Sequence, residues 1–152
     1  MTNEAESHEG EVLFLERTLD AAPEQVFAAW TDPGLLKQWW GPPGSTVKVV
    51  EIDFRVGGRY RLGIEQGQAT YFVGGVYHAI EPPRKLVFTW RWENVDMDVG
   101  KSLVTIEFHA NGRKTDLRLI HAQLPTEEAR TAHREGWVGI LEELARFVMV
   151  KK

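Results

Sequence analysis

Cysteine is absent from the 152 residues, and its absence excludes disulfide scaffolds, thiolate zinc sites and cysteine nucleophiles together. No window approaches the roughly 18 consecutive apolar residues that a membrane-spanning helix needs, so no membrane span is expected. The opening MTNEAESHEGE has no basic start followed by an apolar run and does not read as a secretory signal. It reads instead as a disordered tail over 1–11, followed by one domain over 12–152 whose expected address is the cytoplasm. Lys and Arg number 18 against 22 Asp and Glu, for a net charge of -4. These cations are scattered rather than clustered, which argues against a nucleic-acid partner.

Chemistry-bearing patterns are equally scarce. His8, His78, His109 and His121 have no second histidine three or four residues on, and His133-Arg134-Glu135 has a zinc-deaminase spacing without the cysteines such a site requires. Gly100-Lys101-Ser102 ends like a phosphate-binding loop, but Val95 stands where its first glycine belongs. No serine lies in a G-x-S-x-G setting. No catalytic residue, metal or cofactor is assigned.

What the chain does have is six tryptophans, seven phenylalanines and three tyrosines, rings whose bulk and stiffness suit the walls of a core or pocket. Alternation from Val12 to Asp20 predicts a half-buried strand. Pro23 then opens a helix carrying Val26, Phe27 and Trp30, and Asp32-Pro33 opens a second, shorter one that ends before Gly41-Pro42-Pro43-Gly44. Extended segments follow at 47–54, 59–65, 69–80 and 86–92, then a polar loop over 94–100. The segments 102–110 and 114–122 flank Asn111-Gly112, which predicts a hairpin with both turn residues at positive φ. Thr126 caps a final helix with Glu127 and Glu128 in its first turn and Trp137, Ile140, Leu141, Leu144 and Val148 along one stripe. Gly136 and Gly139 weaken that helix, which predicts a close approach of backbone to sheet or ligand there.

Helices segregated from seven antiparallel strands define an α+β fold. One helix does not cover seven flat strands, so the sheet is expected to curl around it and enclose a cavity. Alternation turns Tyr60, Leu62 and Ile64, then Phe88, Trp90 and Trp92, then Val104, Ile106 and Phe108 to that side.

Ala22-Pro23-Glu24-Gln25-Val26-Phe27, Asp32-Pro33 through Gln38-Trp39-Trp40-Gly41-Pro42, Asp53-Phe54-Arg55-Val56-Gly57-Gly58, Glu81-Pro82-Pro83-Arg84-Lys85-Leu86-Val87-Phe88-Thr89-Trp90 and Gly136-Trp137 occur in that order. Together they resemble bacterial proteins related to the C-terminal domain of the activator of heat-shock-protein-ninety ATPase, over about Val12 to Val148. The resemblance implies a START-like, birch-pollen-allergen-like superfamily member. Its helix-grip fold is a curved antiparallel sheet gripping a long helix over an internal cavity. Function follows less directly, since that superfamily includes lipid carriers, hormone receptors, polyketide cyclases and chaperone partners. The chaperone activator itself carries a further N-terminal domain that is not in this sequence.

The leading expectation is a protein that binds a small hydrophobic molecule in a cavity lined by Trp40, Tyr60, Leu62, Tyr77, Phe88, Trp90, Val104, Ile106, Leu119, His121 and Trp137. His121 shares the alternation of Leu117 and Leu119 and is the polar candidate for orienting a ligand. Trp40 is placed equally well at the lip of the pocket or as an anchor for its helix, and Trp39 is read as an anchor. Asp53, Arg55 and Arg59 read as a solvated turn with a surface ion pair. The alternatives are a cyclase- or hydratase-like enzyme, with His121, Tyr60 or Tyr77 moving protons, and an interaction module, with a chaperone among its candidate partners. A monomer or weak homodimer is expected.

Overall fold

The computed structural model describes residues 12–151, with side chains as far as Met149; the tail expected over 1–11 lies outside the described residues. The elements run β1 (Leu13–Leu19), α1 (Pro23–Thr31), α2 (Pro33–Trp39), β2 (Thr46–Ile52), β3 (Arg59–Gln66), β4 (Ala69–Glu81), β5 (Lys85–Trp92), β6 (Ser102–Asn111), β7 (Lys114–Ala122) and α3 (Glu127–Lys151). A single 3-10 turn, Val95–Met97, interrupts the loop between β5 and β6. This is the expected order of strand, two short helices, six strands and long helix.

The strands form one antiparallel sheet in the order β1-β7-β6-β5-β4-β3-β2. Consecutive strands pair from β2 to β7, and β1 returns to pair with β7 in register Leu13↔His121 through Leu19↔Thr115. Register shifts occur at Val47/Val49 in β2 and Tyr77/Ala79 in β4, the kind of irregularity that bends a strand and increases local twist. Tyr60, Leu62, Ile64, Phe88, Trp90, Val104, Ile106 and Phe108 are all buried, as their alternation predicts.

Asp32 does two jobs at the corner between the short helices. Its amide closes α1 on the Ala28 carbonyl, while its carboxylate accepts hydrogen bonds from the amides of Gly34 (2.9 Å) and Leu35 (3.3 Å) at the start of α2. Trp39 then fastens α2 to α1 by donating its indole N–H to the Ala29 carbonyl at 2.9 Å. The Asp53–Arg55 pair is a surface contact at 2.9 Å, as expected.

The β6–β7 hairpin differs in detail from its sequence signal. Asn111 pairs with Lys114, so the turn residues are Gly112 and Arg113. Of these only Gly112 has positive φ, at 61°, as a turn with glycine in its first central position requires. Asparagine before glycine marked the hairpin correctly but sits one residue too early to be in the turn.

α3 begins as expected, with the Thr126 hydroxyl accepting the Ala129 amide hydrogen at 3.0 Å. It packs on one face of the sheet through Trp137, Ile140, Leu141, Leu144 and Val148, all of them buried. Arg17 on β1 pairs with Glu142 on α3 at 2.7 Å; both groups are partly exposed, so the pair contributes about 1 kcal/mol at most.

The two glycines of α3 have different causes. A Cβ on Gly139 would lie 2.8 Å from Cδ of Pro43, so the loop after α2 approaches the helix backbone there, whereas a Cβ on Gly136 would meet nothing within 4 Å. Alanine at either site gains up to about 1 kcal/mol of helix propensity, but at Gly139 the clash offsets that gain. Gly136→Ala is therefore expected to raise the denaturation midpoint, and Gly139→Ala to be at least about 1 kcal/mol less stable than Gly136→Ala. Chemical denaturation of the two variants checks this; equal stabilisation by both would show that the Pro43 loop yields freely.

Candidate ligand-binding site

The middle of the molecule is a continuous aromatic assembly contributed by α1, α2, β5 and α3. Trp40 meets Trp30 at 5.9 Å between ring centroids, Trp90 at 6.0 Å and Trp137 at 5.6 Å, and Trp90 lies 4.9 Å from Trp137. Tilted and edge-on arrangements dominate, as ring quadrupoles prefer. Below this group, Tyr60, Tyr77 and Phe88 form a second set at 5.4 to 6.2 Å.

Two histidines are wired into the assembly, and their partners fix their protonation. The Trp137 indole N–H donates to Nδ1 of His121 at 3.1 Å, so the ring proton of the neutral imidazole is on Nε2, which donates to Ser102 Oγ at 2.7 Å. The Ser102 hydroxyl in turn donates to the Trp90 carbonyl at 3.2 Å. His121 has 0% and Ser102 1% of its surface exposed. Burial first, and the neighbouring His133 second, push the His121 pKa down to about 3. The serine–histidine contact therefore runs in the direction opposite to base activation, in which the imidazole must accept the hydroxyl proton.

His133 on α3 has the other tautomer. Its Nδ1–H donates to the Ala129 carbonyl at 2.8 Å, and its Nε2 accepts the Trp92 indole hydrogen at 3.1 Å. Burial lowers its pKa, opposed in part by the bond to Ala129. Of the tyrosines considered for proton transfer, Tyr60 donates its hydroxyl to the Thr89 carbonyl at 2.6 Å. Burial pushes the Tyr60 and Tyr77 phenols well up, and Tyr77 adds to the effect on Tyr60.

Two hollows adjoin the assembly. The inner one, about 20 Å³, is bounded by Trp30, Trp40, Tyr60, Leu62, Tyr77, Phe88 and Trp90 among others, and has room for about one water molecule. The outer one is a cleft of about 520 Å³ between α3, the ends of β3 and β5, the start of β4 and the 3-10 loop, within the range of small-molecule sites. Trp40, Trp90, Trp92, Trp137 and Tyr71 form its aromatic walls, Met97 and Val99 its loop side, and Ala129, Ala132, His133, Gly136 and Ile140 its helix side.

Of the residues expected from sequence to line a cavity, Trp40, Trp90 and Trp137 are on the cleft, and Tyr60, Leu62, Tyr77 and Phe88 are on the inner hollow, which Trp40 and Trp90 share. Val104, Ile106, Leu119 and His121 are fully buried in the packed face of the sheet, and border neither hollow. Trp40 packs against Trp39 at 5.7 Å and also borders the cleft. Sequence reasoning missed Tyr71, Met97, Val99, Ala129, Ala132 and His133 as wall residues. A usable signal existed in α3, where positions 129, 132, 133, 136, 137 and 140 follow helical spacing but change from small to large along the chain. Among the described residues, no three His, Asp or Glu side chains are grouped to hold a metal ion, and no helix is long and apolar enough to cross a membrane.

A seven-stranded antiparallel sheet holding a long C-terminal helix, with two short helices after the first strand and a cleft beside the helix, is the START-like helix-grip fold. A family model described as Activator of Hsp90 ATPase homolog 1-like protein matches residues 20–149, and the chain belongs to that family. Among solved structures, an AHSA1 protein from Silicibacter pomeroyi is 32% identical, with 93% of this chain and 99% of that one covered and a TM-score of 0.81. A protein from Chromobacterium violaceum is 29% identical over 91% of this chain and 97% of that one, with a TM-score of 0.82. CalU16 from Micromonospora echinospora is 27% identical over 90% and 75%, with a TM-score of 0.71. No curated protein matches the chain.

The bonding around His121 has a measurable consequence. The unfolded chain takes up a proton near the ordinary value of 6.5, whereas the native ring does so only at about 3. Stability contributed by the neutral ring is therefore complete above about 6.5 and is lost progressively as the pH falls toward 3, by at most about 1.4 kcal/mol per pH unit from this group. Ring nitrogen shifts in NMR spectra are expected to show His121 protonated on Nε2 alone at pH 5. A titration midpoint near 6.5 for that ring would contradict the scheme.

Proposed function

We propose that this protein binds a small hydrophobic molecule in the cleft between α3 and the ends of β3 and β5. The observation that carries the reading is the open space at Gly136. On the sheet-facing side of α3, large residues close the interior from Trp137 onward, whereas Ala129, Ala132 and Gly136 leave a hollow of about 520 Å³ walled by four tryptophans and a tyrosine. A cleft of this size with apolar walls and few polar groups is the usual form of a small-molecule site.

The polar groups nearby suit retention more than reaction. His133 has both ring nitrogens engaged, and the buried Ser102–His121 pair is oriented against nucleophile activation. The indole N–H groups of Trp30 and Trp90 are buried with no acceptor among the described residues. An unsatisfied buried donor costs about 1–3 kcal/mol, so a ligand oxygen or nitrogen reaching Trp90 would gain a partner already desolvated.

Gly136 provides the test, because it borders the cleft and a Cβ added there meets nothing within 4 Å. Titration with naphthylethanol, followed by tryptophan fluorescence and calorimetry, is expected to saturate in the native chain. Gly136→Leu is expected to weaken that binding by about tenfold or more, while its thermal midpoint equals or exceeds that of the native protein. Gly136→Ala is expected to weaken binding as well, but by less than the leucine variant does. Equal affinities for the native chain and the well-folded leucine variant would place any binding outside the cleft and overturn the proposal.

A further inference from the structure

We propose that the cleft selects hydrophobic cations, amines or quaternary ammonium groups on an aromatic body, over hydrophobic carboxylates of the same shape. The inference rests on the cleft being a ligand site and adds the charge of the ligand. It follows from which charges border the cleft and which are kept away from it.

Asp96 is the one formally charged wall residue; no lysine or arginine is on the wall. Asp96 sits in the 3-10 turn at the mouth, is exposed, and has no ion-pair partner among the described residues. The remaining group able to become positive, His133, is held neutral by its bonds, because Nε2 is occupied by the Trp92 hydrogen and Nδ1 donates to Ala129. A carboxylate entering the cleft would thus meet no cation and would face Asp96, with only a neutral donor, the buried Trp90 indole N–H, to offset that repulsion.

The nearby cations belong elsewhere. Arg61 pairs with Glu93 at 2.8 Å and Arg91 with Asp98 at 2.9 Å, and with Lys101 they border a groove on the opposite face of the sheet. The N-terminus of α3, whose amides would favour an anion, is also neutralised: Thr126 caps it and Glu127 and Glu128 occupy its first turn. What the cleft does offer is an aromatic wall, the partly exposed Tyr71 and Trp92 together with the buried Trp40, Trp90 and Trp137. The negative quadrupole of aromatic rings attracts ammonium groups, tryptophan most strongly. Asp96 at the mouth and the aromatic wall within favour the same sign of charge.

The test compares three ligands with one body: naphthylmethyl-trimethylammonium, naphthylethanol and naphthylacetate, titrated by calorimetry into the native chain and Asp96→Asn. The cation is expected to bind about tenfold or more tightly than the carboxylate, with the alcohol between them. Asp96→Asn is expected to narrow the gap by about threefold or more, with the affinity for the alcohol shifting less than that for either charged ligand. If the alcohol binds and the carboxylate binds as tightly as the cation, the charge preference is overturned and the cleft reading stands. If none of the three binds, both fail.

Discussion

The seating of α3 on the sheet is the constraint from which the other features follow, and one hydrogen bond defines it. Trp137 is 1% exposed and donates its indole N–H to a histidine that is itself 0% exposed. Neither group can leave the contact without stranding a polar atom in an apolar interior. Because the bond demands a bare Nδ1, it sets the tautomer of His121, and hence the direction of the bonds to Ser102 and to the Trp90 carbonyl. Helix, β7, β6 and β5 are thereby joined by one chain of hydrogen bonds in addition to the backbone ladder. A second indole–imidazole bond, Trp92 to His133, repeats the device one helical turn closer to the N-terminus of α3.

These two bonds bracket the place where the helix stops filling the interior. Beyond Trp137 the stripe of Ile140, Leu141, Leu144 and Val148 closes the core by ordinary burial. Before it, Ala129, Ala132 and Gly136 are too small to reach the strands, and the gap is spanned instead by polar contacts and tryptophan rings. Dispersion and apolar burial hold one half of the helix, and directional hydrogen bonds position the other. A helix seated in this way keeps a hollow beside it without collapsing into it, because stiff rings and satisfied donors do not rearrange cheaply to fill space.

The sequence made the first half of this legible and the second half only in part. Period-two alternation in Tyr60-Arg61-Leu62-Gly63-Ile64 and Phe88-Thr89-Trp90-Arg91-Trp92 assigns faces because each strand has one apolar side, and Asp32-Pro33 and Thr126 mark helix starts through chemistry confined to a few residues. Val104, Ile106 and Leu119 were placed on the apolar face of the sheet correctly, but alternation cannot distinguish a face under a large helical residue from one under a small residue. That depends on the register between α3 and the strands, which is a tertiary quantity. His121 shows the same limit: its alternation with Leu117 and Leu119 pointed inward, yet its role is set by Trp137, distant from it in pattern and on another element. The loop at 94–100 has no periodicity, so nothing in it announced that Met97 and Val99 would form a wall.

Gly136 and Gly139 separate structural need from functional space on one helix turn. At Gly139 a neighbour explains the residue, since Pro43 occupies the volume that a Cβ would take. At Gly136 no neighbour does: the backbone is helical, where glycine is among the weakest residues, and the adjoining volume is open. Trp30 and Trp90 carry the same sign, with indole donors buried at a free-energy cost that no nearby protein acceptor offsets. Three departures from maximal stability, all within reach of the aromatic assembly, are hard to derive from folding alone, and local conflicts of this kind concentrate where a protein meets a ligand. Gly136 is the clearest of the three, because alanine there would favour the helix, would meet nothing within 4 Å, and would take up room in the cleft.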